Sequence, residues 1–310
     1  MRVVEIIRRP RDDERSKLVA FVDRMALARG ARPLSDHLWL DLNSDDDTGC
    51  TAVTVADETG VIAMAQISAG NDSSSLEAIV DDDVQDARRV HDDAVETAVD
   101  TFRRDGGGRL WWWVDDAGDE DHSLAEAVGL SPQRELYEMR RSLPLDRSAS
   151  VATRSFVPGQ DDDAWIAVNN RAFADHGEQG GWTIDTLASR VGEPWFDSDG
   201  FRLHERDGQL AAFCWTKLHT EHDPVLGEIY VIAVDPAFHG QGLGTQLTLA
   251  GLDSIAERGV TTAMLYVDAD NTPAVALYQR LGFTIHRTRH AFSGDLADAR
   301  SPDSQIPQGA

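Results

Sequence analysis

The sequence predicts an α/β (α+β) chain built from two copies of one unit. Three observations predict it. Strand-like and helical runs are interleaved along all 310 residues, a length that suits two domains. One pattern occurs twice: LAEAVGLSPQRELYEMRRSL (124–143) matches LYQRLGFTIHRTRHAFSG (277–294), each a helix end, a Gly, an apolar residue and a strand. Between the copies, PLDRSASVATRS (144–155) is poor in apolar residues and rich in Ser, as a boundary should be.

In chain order, the 3.6-residue apolar period predicts helices over 13–28, 84–103, 122–128, 161–174, 183–191, 244–258 and 272–281. Apolar or alternating runs predict strands over 51–56, 61–68, 110–114, 135–141, 201–205, 210–218, 228–234, 262–267 and 283–292. Domains are expected at 1–145 and 152–295. The polar, proline-containing stretch 296–310 is expected to be a disordered tail.

Composition narrows the function classes. Net charge is -25, and lysine occurs only at Lys17 and Lys217. Phosphate backbones would be repelled, which argues against nucleic-acid binding. No apolar run is long enough to span a bilayer, and the charged N-terminus reads as neither signal peptide nor anchor. Cys50 and Cys214 are far apart, so neither a disulfide framework nor a metal spacing is expected. His176 and His239 add no such spacing, and Cys214 reads as an apolar filler. The expectation is a cytoplasmic, monomeric protein without a metal.

The most informative stretch is IYVIAVDPAFHGQGLGTQL (229–247). A strand, a Gly-rich turn and a helix start together expose unpaired N–H groups at a positive dipole end. Such a turn binds phosphate without Lys or Arg. A Walker A loop would need Lys after the last Gly, where Thr245 stands. A dinucleotide fingerprint needs another spacing and an early position. In the first copy LEAIVDDDVQDARRV (76–90) takes this place. Arg88 and Val90 are expected where Gly242 and Gly244 stand, so that copy is read as a degenerate cofactor loop.

VDPAFHGQGLG resembles the acyl-CoA pyrophosphate loop of the GCN5-related N-acetyltransferases (the GNAT family), with His239 departing from the usual Arg or Gln. LYVDADNTPAVALYQRLGF (265–283) resembles the family's second signature. The resemblance implies a tandem GNAT fold, each copy with a mixed, mostly antiparallel central sheet flanked by helices. It implies acetyl-CoA as co-substrate. Its pantetheine arm would lie along the backbone of Ile232, Ala233 and Val234 like an added strand, where one amide could polarise the acetyl carbonyl. The pyrophosphate would be held over His239, Gly240, Gln241, Gly242, Leu243, Gly244 and Thr245, with Asn271 and Ala274 on the thiol side.

VNNRAFADHGEQGGWT (168–183), with GEIYVIAVDP and LYVDADN, more closely resembles the mycothiol synthases, tandem-domain acetyltransferases of actinobacteria. That likeness implies acetyl transfer to the cysteinyl amine of cysteinyl-glucosaminyl-inositol. It assigns Glu228 as general base through a water and Tyr278 as general acid toward the CoA sulfur. It assigns Asp36, Glu178, Lys217, Glu228, Tyr266 and Asp268 to the acceptor. An acetyltransferase for another amine or peptide, and a non-catalytic acyl-CoA sensor, remain as alternatives. WWW (111–113) is read as structural, with alternate rings expected in the core and the middle ring at the domain interface.

Overall fold

A computed structural model describes residues 2–30, 32–44, 50–70, 72–174, 179–220 and 222–298. The chain divides into two compact units, Met1–Leu136 with Arg287–Ala310, and Tyr137–His286.

The first unit runs β1 (Val3–Arg8), α1 (Asp12–Arg29), α2 (Asp36–Asn43), β2 (Thr51–Asp57), β3 (Gly60–Ala69), β4 (Ser74–Val80), α3 (Ala87–Arg104), β5 (Gly108–Asp115), α4 (Asp119–Ala127) and the start of β6 (Ser131–Ser142). The second runs β7 (Arg154–Ser155), α5 (Asp162–Ala172), α6 (Ile184–Val191), β8 (Phe201–Arg206), β9 (Gln209–His219), β10 (Leu226–Val234), α7 (Leu243–Glu257), β11 (Thr262–Asp268) and α8 (Thr272–Arg280). Then β12 (Thr284–Leu296) begins. Strands β6 and β12 each start in one unit and end in the other.

In the first unit the sheet order is β1-β2-β3-β4-β5-β12, antiparallel except for β4 with β5. In the second it is β6-β11-β10-β9-β8-β7; β10 with β11 is parallel, while β7 through β10 pair antiparallel. Each is the mixed, mostly antiparallel sheet expected. The closing strand of the first unit comes from the end of the chain, where Arg289–Leu296 pair with β5 and Phe292 packs on Trp112 at 5.4 Å. The second half of β6 joins the other unit, with Met139, and Leu143 just past the strand's end, in that core. The segment 144–155 lies inside the second unit.

Strand alternation decides the tryptophan triplet against the expectation. Trp112 is fully buried under α3 and α4, whereas Trp111 and Trp113 share the opposite face, half-buried and stacked at 6.4 Å. Leu110 and Phe292 mark the core side, so the middle ring is the structural one.

The second unit has two layers on its sheet. Phe213, Trp215, Val231 and Ala233 pack against Trp165 of α5 and Leu187 of α6. Cys214, Ile229 and Leu265 pack with α7 and α8 on the other face. Gly251 lets α7 lie close, since a Cβ there would stand 2.4 Å from the sulfur of Cys214. Cys214 is thus the apolar filler expected, its thiol pushed up to about 12 by burial.

Candidate active site

Two irregularities in β10 build the site. The register with β9 slips between Ile229 and Val231, so Tyr230 forms a bulge. The parallel register with β11 covers Gly227–Ile229 against Ala263–Leu265 and ends there. Ile232, Ala233 and Val234 therefore lie past the paired stretch, where the two strands part. An extended ligand arm can add along such a strand.

The loop follows at once. Asp235 accepts from the Ala237 N–H at 2.9 Å and caps a single 3-10 turn, Pro236–Phe238. Burial alone would raise its carboxyl. The hydrogen bond from Arg171 of α5 and the Ala237 N–H outweigh that and hold it below the usual range. The ring of His239 turns back, and Nε2 donates to the Val234 carbonyl at 2.9 Å. His239 thus stiffens the loop rather than reaching outward. The side chain of Gln241 is likewise engaged, accepting from Arg206.

Gly240 and Gly242 have φ of +75° and +76°, and a Cβ on either would meet open space. Gly242 is the N-cap of α7, so Leu243, Gly244 and Thr245 open the helix with their N–H groups toward its end. The cradle is open where a phosphate would sit, and the local residues fit an anion. Gly244 packs against Leu277 of α8.

In the first unit the corresponding cap is Asp86, also left-handed at φ 59°. The structure thus sets Asp86, not Arg88, opposite Gly242. Its loop from β4 is shorter and carries Asp81, Asp82 and Asp83. Arg88 is bound to Asp92 and Asp121 at 3.0 and 2.7 Å.

Glu228 is buried on β10, opposite Lys217 of β9 and Met264 of β11. By alternation, Lys217, Glu228, Tyr266 and Asp268 lie on one face. The ammonium of Lys217 is 4.8 Å from the Trp195 ring centroid and 5.9 Å from that of Tyr230, a cation–π setting. Tyr266 is exposed and Asp268 half-buried. Tyr278 lies on α8, buried against Phe283. Burial, with the nearby Cys214 thiol, raises its phenol well above the usual value, so it stays protonated through neutral pH. Asn271 caps α8 by accepting from the Ala274 N–H at 3.2 Å.

Asp36 opens α2 in the first unit, 3.8 Å from Arg32. Glu178 and His176 lie outside the described residues.

Sequence reasoning missed four residues. His219 holds Glu228, with Nε2 to Oε2 at 2.8 Å. Arg171 ties α5 to the loop through Asp235. Asn169 and Asn170 clamp the segment that leads into α6: Asn169 donates to the Gln179 carbonyl, while Asn170 bonds both the N–H and the carbonyl of Trp182, all at 2.9 Å. The Asn-Asn pair was visible as a signal, because two adjacent amides on one helix turn suit a backbone clamp.

Residues 167–283 match the Acetyltransferase (GNAT) family. The solved tandem GNAT protein from the clavulanic acid biosynthesis pathway shares the fold, with a TM-score of 0.67 at 17% identity, covering 95% of this chain and 99% of that one. The mycothiol acetyltransferase of Thermobispora bispora is 39% identical over 289 residues, 91% of this chain and 95% of its own. That of Acidothermus cellulolyticus is 39% identical over 290 residues, 86% of this chain and 87% of its own. With identity sustained over nearly all of both sequences, the chain belongs to the mycothiol acetyltransferase family.

Proposed function

We propose that this enzyme transfers acetyl from acetyl-CoA to the cysteinyl amine of cysteinyl-glucosaminyl-inositol, giving mycothiol and CoA. The observation that carries the reading is the arrangement around β10. An open glycine cradle, a parted strand and a buried carboxylate lie in sequence along one element. Acetyl-CoA would supply the activated acyl group, held by the amides between Gly240 and Thr245 and along Ile232–Val234.

The chain's own residues then do the following. Glu228 takes a proton from the acceptor ammonium, directly or through a water, so that the neutral amine can attack. Tyr278, kept protonated by burial, donates toward the sulfur that leaves. Lys217, Tyr266 and Asp268 offer polar groups on the Glu228 face to a polyol acceptor, with Glu178 as a further acceptor contact. Proximity in the ternary complex supplies much of the acceleration. A cytoplasmic location belongs to the same proposal; no helix among the described residues is long and apolar enough to cross a membrane.

The test is incubation with acetyl-CoA and the acceptor, following thiol release and identifying the product by mass spectrometry. An N-acetylated acceptor is expected; thiol release unlinked to acceptor consumption would refute the reading. Tyr278→Phe is expected to lower kcat by about 10²-fold, the scale of one general acid. Steady-state kinetics checks this, with acetyl-CoA affinity as the control.

We further infer that the first unit no longer holds a pyrophosphate. Asp86 occupies the left-handed cap, and the shorter loop carries Asp81, Asp82 and Asp83, of which Asp81 and Asp82 are paired with Arg24 and Arg29 of α1. Titration calorimetry with acetyl-CoA is expected to give a stoichiometry near one per chain; two comparable sites would contradict this.

A further inference from the structure

Strand β9 ends on His219 before the chain turns back into β10. In the ladder His219 faces Leu226, and Lys217 faces Glu228. His219 therefore reaches Glu228 on the diagonal, across one face of the sheet. Its Nε2 lies 2.8 Å from Oε2 of Glu228, with both side chains largely shielded, at 13% and 9% exposure. The ring of His222 packs edge-on against that of His219 at 5.6 Å, and the His222 N–H bonds to the His219 carbonyl.

An ionised carboxylate can only accept hydrogen bonds. For Glu228 to start as a base, the proton in this bond must sit on Nε2 of His219. The imidazole then donates to Oε2 and leaves Oε1 outside the bond. A glutamate side chain has three torsions to fix, and a hydrogen bond to one oxygen from a strand-borne ring fixes the last of them. We propose that His219 is a positioning residue, which holds Glu228 by one oxygen so that the other faces the acceptor amine. This rests on the general-base reading of Glu228. The proton leaving the ammonium ends on Oε1, and His219 keeps its own, so no transfer through the imidazole is required. A carboxylate misplaced by about 1 Å costs on the order of 10²-fold in rate.

The experiment compares His219→Leu and His219→Gln in steady-state acetyl transfer to cysteinyl-glucosaminyl-inositol, with acetyl-CoA affinity by calorimetry. The Gln amide nitrogen stands where Nε2 stands and still donates. His219→Leu is expected to lose about 10²-fold in kcat with acetyl-CoA affinity unchanged, and His219→Gln to recover most of it. Full activity in His219→Leu would overturn the proposal. Equal loss in both variants would also overturn it, since the imidazole would then act by more than position. A parallel loss of acetyl-CoA affinity would reduce His219 to a folding role and overturn it as well. Glu228→Gln is run alongside. If that variant keeps full turnover, the general-base reading itself fails; if it is crippled while His219→Leu is not, only the positioning role fails.

Discussion

Glu228→Gln is expected to leave acetyl-CoA affinity within about twofold of the parent chain and to lower turnover by about 10²–10⁴-fold, the range for removing a general base. The substitution keeps shape and volume while removing the charge and the ability to take a proton. Glu228 sits where β10 still pairs with β11, while the proposed cofactor contacts begin beyond Ile229. Loss of the base and loss of the cofactor are therefore separable. The effect should fall on kcat and kcat/KM together, as for an interaction used only in the transition state. Calorimetry and steady-state kinetics on one preparation check both halves. Unchanged turnover would remove Glu228 from the mechanism.

Gly242→Asp is expected to weaken acetyl-CoA binding by about 100-fold. Loss of one or two charge-assisted hydrogen bonds, each about 1.5–3 kcal/mol, is enough for that. The fold should survive. The first unit already carries Asp86 at its own left-handed helix cap, so this backbone accepts an aspartate there. A Cβ at Gly242 would meet no atom within 4 Å, so the protein itself leaves room for it. The intruding carboxylate instead occupies the phosphate position and adds a like charge to it. A drop in Tm of only about 2–5 °C is expected, from a left-handed non-glycine residue costing about 1 kcal/mol. Calorimetry reads the affinity and a thermal melt reads the fold. Undiminished binding in a folded variant would move the pyrophosphate away from the α7 end.

Much of this was legible in the sequence because the signals are local. Turn glycines at 240 and 242, the Asp-Pro after an apolar run, and Asn271 before a helix each report their own backbone, and each lies where its pattern placed it. The strands β1 and β4 and the short helix α2 escaped. Val3–Arg8 and Ser74–Val80 mix polar with apolar residues, and Asp36–Asn43 offers barely two turns of period.

The passage of β12 into the first unit was not legible for a specific reason. The segments after Gly129 and Gly282 have the same pattern, so nothing local says which sheet each should close. The choice rests on distant partners, such as Phe292 with Trp112. The tryptophan triplet failed the same way: alternation split it correctly, but Leu110 and Phe292, not the triplet, decide which face is core. His219 was invisible because its bond to Glu228 crosses a turn and depends on register.

The measurement that tests the central claim most directly is the ratio of kcat/KM for cysteinyl-glucosaminyl-inositol to that for free cysteine, with acetyl-CoA fixed. A site built for the whole acceptor gains from hydrogen bonds to the sugar and polyol. Two or three of them, at about 1 kcal/mol each, predict a ratio of roughly 30 to 160. A ratio near one, or a preference for simple amines or peptides, would contradict the account while leaving the fold and the glycine cradle in place.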